Sequence, residues 1–468
     1  MNITSWIKQN RSTIQLYLVS LIFFIYHYSL NKEIIFSPLF ADEWYYAVPI
    51  ELSKLHLWPN FSFGHPPLYH LFTSFYYSII SSTPNILHFI SFILSYLLVF
   101  LILRIFHKRN SLLSGIILVM LLYGDNYFVL NSSAAHPIIL GSIFLLLMLF
   151  SENKKRTTLL SCFAFFTRES LLVSVPMLFI KQGLKRSYFF IYQLVACVSV
   201  YSYYYYMKND IMMNDQVKYR LHLKQEVMTF KLRHFLEFYT NLFFNYNNLL
   251  IGFLLLFALY FSKRNKLIAS CLIGAFLHSM FFAFYTEHSS RDAYYSSFLI
   301  FTAIAVMSSE YINYKKIAYK ILLCAFLIFS SYRNYDLYIE MKQNSSYKKF
   351  IQNTSVKVLK TIKKYELKYL LTDFVISSAF KSKYMGYHDL PDLNAYFIRN
   401  FHHERKYFKT PDIIVDTSHH WVEKAKELFP LYINTDYKFL YSYGENDFKV
   451  DVYILKSKLN KTIDSKKK

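Results

Sequence analysis

Eight long apolar stretches set the terms on which this chain can fold: Thr13–Leu30, Ile86–Arg104, Ala134–Phe150, Tyr188–Met207, Leu249–Phe261, Leu267–Tyr285, Ala293–Ser309 and Ile317–Ser331. In lipid a backbone finds no water for its amides and carbonyls, so such stretches have to be helical. A full crossing takes about 17 to 25 residues, and the shorter stretches fit only as members of a packed bundle. Composition agrees, because 54% of the 468 residues are hydrophobic, with 46 Phe and 43 Tyr against 9 Gly, which is more apolar surface than a soluble core can hide. The net charge of +22 then reads as lysines beside anionic headgroups, making membrane lipids and not nucleic acid the expected partner. The first stretch follows Met1 to Arg11 without a small-residue cleavage site and reads as a retained helix. Cys162, Cys197, Cys271 and Cys324 all lie in apolar stretches with neither disulfide nor metal-ligand spacing, and read as packing residues.

Basic clusters in short loops stay in the cytoplasm. They recur at Lys8 and Arg11, Arg104 to Arg109, Lys154 to Arg156, Lys181 to Arg186, Lys263 to Lys266, and Lys315 and Lys316. With the N-terminus inside, the loop over residues 31–85 lies on the outer face. Pro66 to Ile80 is apolar but too short to cross without reversing every later cluster, so it is laid in the outer interface or made re-entrant. Thr157 to Ile180 is bracketed by basic clusters at both ends. Read as two half-depth helices returning to one side, it keeps the later clusters inside and puts Arg168 and Glu169 at a turn within the membrane protein. Charges at that depth pair with each other or face a polar cavity, so a structural ion pair and a substrate site both remain open. Lys208 to Asn247 becomes a second outer loop, with the character of amphipathic interfacial helices.

The texture changes near residue 332. Lys368–Asp373, Asp412–Asp416, Tyr437–Tyr443 and Lys449–Leu455 read as strands, while Ser346–Tyr365 and Ser418–Leu428 read as helices. The expected architecture is a polytopic α-helical membrane domain over residues 1–332, with about 11 membrane segments counting short re-entrant helices, and a small extracytoplasmic α/β domain over 333–468. Asp373, Asp416, His419 and His420 in that domain form no catalytic constellation and read equally well as surface or loop residues.

Asp42 and Glu43, in Phe40-Ala41-Asp42-Glu43-Trp44-Tyr45-Tyr46, are adjacent carboxylates just beyond the first span. A carboxylate beside an acceptor hydroxyl can take its proton as the oxygen attacks, which is general base catalysis. The second acid can bind a sugar hydroxyl, hold a metal or orient the first. Tyr45 and Tyr46 offer flat apolar faces to a sugar ring or to lipid. A plainer reading has Asp42 capping an interfacial helix from Glu43 to Leu55. About twenty residues on stands His65-Pro66-Pro67-Leu68; the prolines can start a helix with His65 at its mouth, where it can donate to a phosphate or sugar oxygen, or serve only the turn.

The two motifs in this order and on this face resemble the protein O-mannosyltransferases and the aminoarabinose transferases of lipid A, glycosyltransferase family 39-like members of the GT-C class. The resemblance rests on short motifs and the order of spans, mainly over residues 1–332. It implies a sugar donor carried on a polyprenyl phosphate, an acceptor hydroxyl arriving from the non-cytoplasmic side of a bacterial inner membrane, and inversion at the anomeric carbon. On that basis Asp42 matches the catalytic base, Glu43 its acidic neighbour, and His65 the head of the His-Pro-Pro-Leu element. Arg291, in Glu287-His288-Ser289-Ser290-Arg291-Asp292, stands where relatives meet the lipid-linked phosphate, and Arg168-Glu169 where they carry a polar or basic residue in a short helix. Two departures leave the acceptor open: Tyr69-His70 follows the motif in place of Gly-Lys, and the outer loop Asn131 to Pro137 offers His136 where relatives have an acid. No cofactor is implied with certainty; a divalent cation stays open, although no outer-face cluster has ligand spacing. The alternative is a carrier of lipid-linked sugars or another anionic solute, which would spread its charges along a continuous cavity and often repeat its halves. A third alternative is a structural or assembly subunit, for which Asp42 would be dispensable.

Overall fold

The computed structural model describes residues 3–35, 68–69, 72, 86–134, 136–183, 235–236, 239, 249–283, 294–311, 339, 343, 346–347, 349–372, 394–397, 409–417, 430–444 and 449–459. The chain divides into two compact units, one of helices and one, over residues 341–468, that carries the described strands.

In the helical unit, α1 (Ile3–Ile35) and α2 (Ile86–Lys108) contain segments long and apolar enough to cross a bilayer. Tyr17, Leu18, Leu21, Ile22 and Ile25 of α1 are all exposed and recur at helical spacing, an apolar stripe that water would penalise and lipid would not. A left-handed Asn110 (φ 56°) closes the basic turn after α2, a conformation asparagine tolerates, and α3 (Leu112–Tyr123) runs back. This helix was not among the eight apolar stretches. Asp125 caps α4 (Asn126–Asn131) by accepting from Tyr127 N at 2.9 Å. Next come α5 (Ile138–Phe150), α6 (Lys154–Thr167), a 3-10 turn (Glu169–Val173) and α7 (Ser174–Gln182). Asn153 caps α6 through Arg156 N, and Asn265 caps α9 through Leu267 N and Ile268 N. The basic loops are therefore tight, capped turns.

The rest of the unit is α8 (Leu249–Ser262), α9 (Lys266–Ala283) and α10 (Tyr294–Tyr311). Every residue of α10 from Tyr294 to Ser308 is buried, so this helix, apolar on all sides, is a core element of the bundle. The expected stretches Tyr188–Met207 and Ile317–Ser331 lie outside the described residues.

In the second unit a helix over residues 349–365, α11, packs on a mixed sheet. Its strands are β1 (Tyr369–Thr372), β2 (Asn394–Phe397), β3 (Ile413–Thr417), β4 (Tyr437–Tyr443) and β5 (Val450–Leu455), with α12 (Pro430–Asp436) leading into β4. The order is β2-β1-β3-β5-β4; β1 pairs parallel with β2 and β3, and β5 antiparallel with β3 and β4. Ile351, Val358 and Ile362 of α11 meet Leu370, Ile413, Val415, Val450, Val452 and Ile454 of the sheet, the alternate residues that share one face. Asp412 ties three strand ends together: its Oδ2 accepts from Lys368 N (2.7 Å) and Tyr369 N (3.1 Å), and its Oδ1 pairs with Lys458 Nζ at 3.2 Å.

Four strands and the first helix lie where the sequence put them, whereas β2 was not foreseen and the helix expected at Ser418–Leu428 lies outside the described residues. Asp416 corrects the sequence reading, being a buried strand residue directly opposite Asp451 and not a surface or loop group. Burial pushes the Tyr453 hydroxyl up to about 12, with the two carboxylates adding to the effect.

Two glycines set helix approach. A Cβ on Gly141 of α5 would meet Leu171 Cδ1 at 2.7 Å and the buried Tyr295 ring at 3.1 Å, whereas the atoms nearest to one on Gly274 of α9 all belong to the flexible Met177 side chain. Gly141→Ala is therefore expected to cost about 1–3 kcal/mol by overpacking and Gly274→Ala less than about 1 kcal/mol. Thermal unfolding of the two purified variants in detergent checks the difference; equal melting temperatures would contradict it.

Candidate active site

The helical run from Lys154 to Gln182 breaks at Arg168. Its N–H still bonds Ala164 O (3.1 Å) and its carbonyl already accepts from Leu171 N (3.0 Å), but its backbone is extended (φ −153°, ψ 128°). The chain folds back there. Ser161 Oγ of α6 lies 2.7 Å from Ser174 Oγ of α7, thirteen residues on, a separation of about 20 Å in a straight helix. At the far end of α7, Lys181 Nζ donates to Met148 O (3.0 Å) and Ser151 O (2.6 Å), just before α6 begins. The segment thus leaves and returns at one end of the bundle, with Arg168 and Glu169 at its tip. Arg168 is buried.

The tip is held by His278 of α9. Its Nε2 lies 3.3 Å from Ser170 Oγ and its Nδ1 2.9 Å from Ser296 Oγ, in the first turn of α10. Tyr295 stands edge-on to the imidazole at 5.4 Å. The sequence-selected Arg168 is therefore brought to the head of α10, which begins three residues after Arg291.

A second polar ring closes around α1. His27 Nε2 is 2.7 Å from Ser95 Oγ on α2, which reaches Ser132 O at 2.7 Å; Ser132 Oγ donates to Asn31 Oδ1 (2.8 Å), and Asn31 Nδ2 returns to His27 O (2.9 Å). His27 and Asn31, at i and i+4, share one face of α1. His88, Asp125, Asn131, Ser133 and His136 are buried as well. Phe128 of α4 stacks on Tyr294 at the head of α10, with ring centres 6.3 Å apart. The loop from α3 to α5, where His136 was noted, is thus a buried polar wall.

Asp42, Glu43, Tyr45, Tyr46, His65 and Arg291 lie outside the described residues, and of Glu169 only the backbone is described. Leu68, Tyr69 and Phe72 are helical and Tyr69 is buried, so helix follows Pro66-Pro67 directly. Sequence reasoning passed over His278 and His27. Their signal was a histidine inside an apolar span, costly unless it is partnered.

No protein-family model and no curated protein sequence matches the chain. Solved structures do. The chain matches ArnT from Cupriavidus metallidurans bound to undecaprenyl phosphate with a TM-score of 0.59 at 9% identity, over 97% of this chain and 98% of that one. The same protein in the apo state matches at 0.55 and 10% identity, over 96% and 98%. The chain has the fold of this aminoarabinose transferase, a GT-C membrane fold, and the likeness runs on past residue 332 into the second unit.

The hairpin can be tested by covalent linkage. In a background with Cys162, Cys197, Cys271 and Cys324 replaced by alanine, the pair Ser161→Cys and Ser174→Cys is expected to form a disulfide on mild oxidation, since a bond of about 2 Å has to be reached. Mass spectrometry of the linked peptide is the readout; no link under conditions that join a control pair would rule out the fold-back.

Proposed function

We propose that this protein is a glycosyltransferase that moves a sugar from a polyprenyl-phosphate donor to an acceptor hydroxyl on the non-cytoplasmic face of the membrane. The observation that carries this reading is the shared fold with ArnT along nearly the whole chain, in a sequence that also holds Asp42-Glu43 and His65-Pro66-Pro67-Leu68 in the order that the resemblance requires. ArnT has been solved with undecaprenyl phosphate, and the same class of lipid carrier is the donor we assign here.

Asp42 is the base. As the acceptor oxygen attacks the anomeric carbon, its proton passes to the Asp42 carboxylate, the bond from that carbon to the phosphate oxygen breaks, and the electron pair leaves with the polyprenyl phosphate. The configuration inverts. The leaving group needs charge stabilisation more than protonation, and guanidinium groups supply it through paired hydrogen bonds. Arg168 at the hairpin tip and Arg291 before α10 take this role, with His65 donating to a phosphate or sugar oxygen. Glu43 orients Asp42 or binds a sugar hydroxyl, Glu169 accompanies Arg168, and Tyr45 and Tyr46 cover the sugar ring. The return of α6 and α7 to one end supports the charge-based orientation, since the basic clusters before and after the hairpin then share a side. On that orientation the site faces outward from a bacterial inner membrane.

Asp42→Asn is expected to lower transfer by about 10²- to 10⁴-fold, the usual contribution of a general base, while membrane insertion and melting temperature hold. Mass spectrometry of cell-surface glycans, lipids and proteins with and without the gene identifies the transferred sugar, and purified Asp42→Asn is then assayed on that acceptor. Full activity would remove Asp42 from the mechanism. A single cysteine at Arg291 in the cysteine-free background should react with an impermeant maleimide in whole cells; labelling only after lysis would reverse the orientation.

A further inference from the structure

We infer that His278 is a positioning residue for the donor site, holding the Arg168 tip at the depth of the head of α10. It rests on the functional reading above. Among the described residues, His278 links the tip to both long helices of this region: it stands on α9, its Nε2 faces Ser170, two residues from Arg168, and its Nδ1 faces Ser296, five residues from Arg291. Residues 278, 170 and 296 are all fully or nearly fully buried. A neutral imidazole donates from one nitrogen and accepts at the other, so a single rigid ring spans two hydroxyls on different segments and fixes their spacing. Tyr295, edge-on to that ring and in van der Waals range of the Gly141 position on α5, closes the space beside it. A histidine that served only to fill volume would need neither serine. This one lies beside the break at which the α6–α7 segment folds back, where a shift of the tip carries the Arg168 guanidinium with it.

The geometry gives a test that packing alone does not. Glutamine places its terminal amide near the position of the histidine Nε2 and can keep the Ser170 contact, whereas asparagine mimics Nδ1 and keeps only the Ser296 contact. Binding of undecaprenyl phosphate to the purified full chain in nanodiscs is measured for wild type, His278→Gln, His278→Asn and Ser170→Ala, with undecaprenol as the control without phosphate. His278→Asn and Ser170→Ala should each weaken phosphate-dependent binding about tenfold, the upper end for one neutral hydrogen bond, while His278→Gln stays near wild type and undecaprenol binding is unchanged in all four. Equal affinities for the glutamine and asparagine variants, or equal losses for the two lipids, would overturn the positioning role. Ser170→Ala, the smallest change, keeps the test open if a histidine variant fails to fold. A wild-type chain that does not distinguish undecaprenyl phosphate from undecaprenol would instead sink the functional reading.

Discussion

A chain that leaves the helical path inside a membrane bundle has to satisfy its own backbone there, because no water is at hand to do it. The stretch around Arg168 meets this demand locally, with its N–H bonded to Ala164 and its carbonyl to Leu171. Neighbours do the rest. Ser161 and Ser174 join the two arms, Lys181 fastens the end of the second arm to the Met148 and Ser151 carbonyls at the end of α5, and His278 fixes the tip. Gly141 and Gly274 let Leu171, Tyr295 and Met177 pack against α5 and α9 where a Cβ would stand in the way. Small residues at helix contacts and hydroxyls bonding across them are the usual means of association where apolar burial gives no preference between protein and lipid.

The His27, Ser95, Ser132 and Asn31 ring applies the same logic at a second place. Each hydrogen bond of this kind is worth only about 0.6–2 kcal/mol, so the ring adds little to stability as such. Its effect is on register: α1 cannot rotate or slide against α2 without breaking a closed circuit of four residues, two of whose links run through the backbone carbonyls of Ser132 and His27. The opposite face of α1, with Leu18, Leu21, Ile22 and Ile25 exposed, is equally tolerant of any neighbour. Polar side chains therefore decide where each helix sits, and apolar ones decide only that it lies in the membrane.

This division explains what could be read from the sequence. The fold-back at Arg168 was legible because basic clusters flank Thr157 to Ile180 on both sides, and an even number of half-crossings is the arrangement that keeps them together. The strands β1, β3, β4 and β5 were legible from runs of Ile, Val, Leu and Tyr between turn residues. By contrast α3 is only 12 residues long, below the length that marks a crossing. The four residues of β2 carry no such run, and their place depends on parallel pairing with a strand more than twenty residues earlier. Asp416 was read as exposed because sequence shows a charge but not the carboxylate opposite it or the tyrosine beside it. The role of His278 was hidden for a related reason: its partners, Ser170 and Ser296, come from two other segments of the chain.

The fold is shared with ArnT at 9% identity, which the same physics permits. A bundle asks each span for apolar character and a break in the right place, and many sequences supply both. On the reading proposed above, the residues assigned to the donor site are held to a tighter standard, and there this chain departs from the pattern it resembles. Tyr69 follows His65-Pro66-Pro67-Leu68 where the protein mannosyltransferases carry Gly-Lys, and it is buried among the helices, so this element brings no lysine to the site. If a lipid phosphate leaves from that place, its charge has to be met by guanidinium groups at the hairpin tip and before α10. On that proposed reading the burden on Arg168 is correspondingly greater than with a lysine beside the histidine, and a tip free to move by even one ångström would be a poor place to put it.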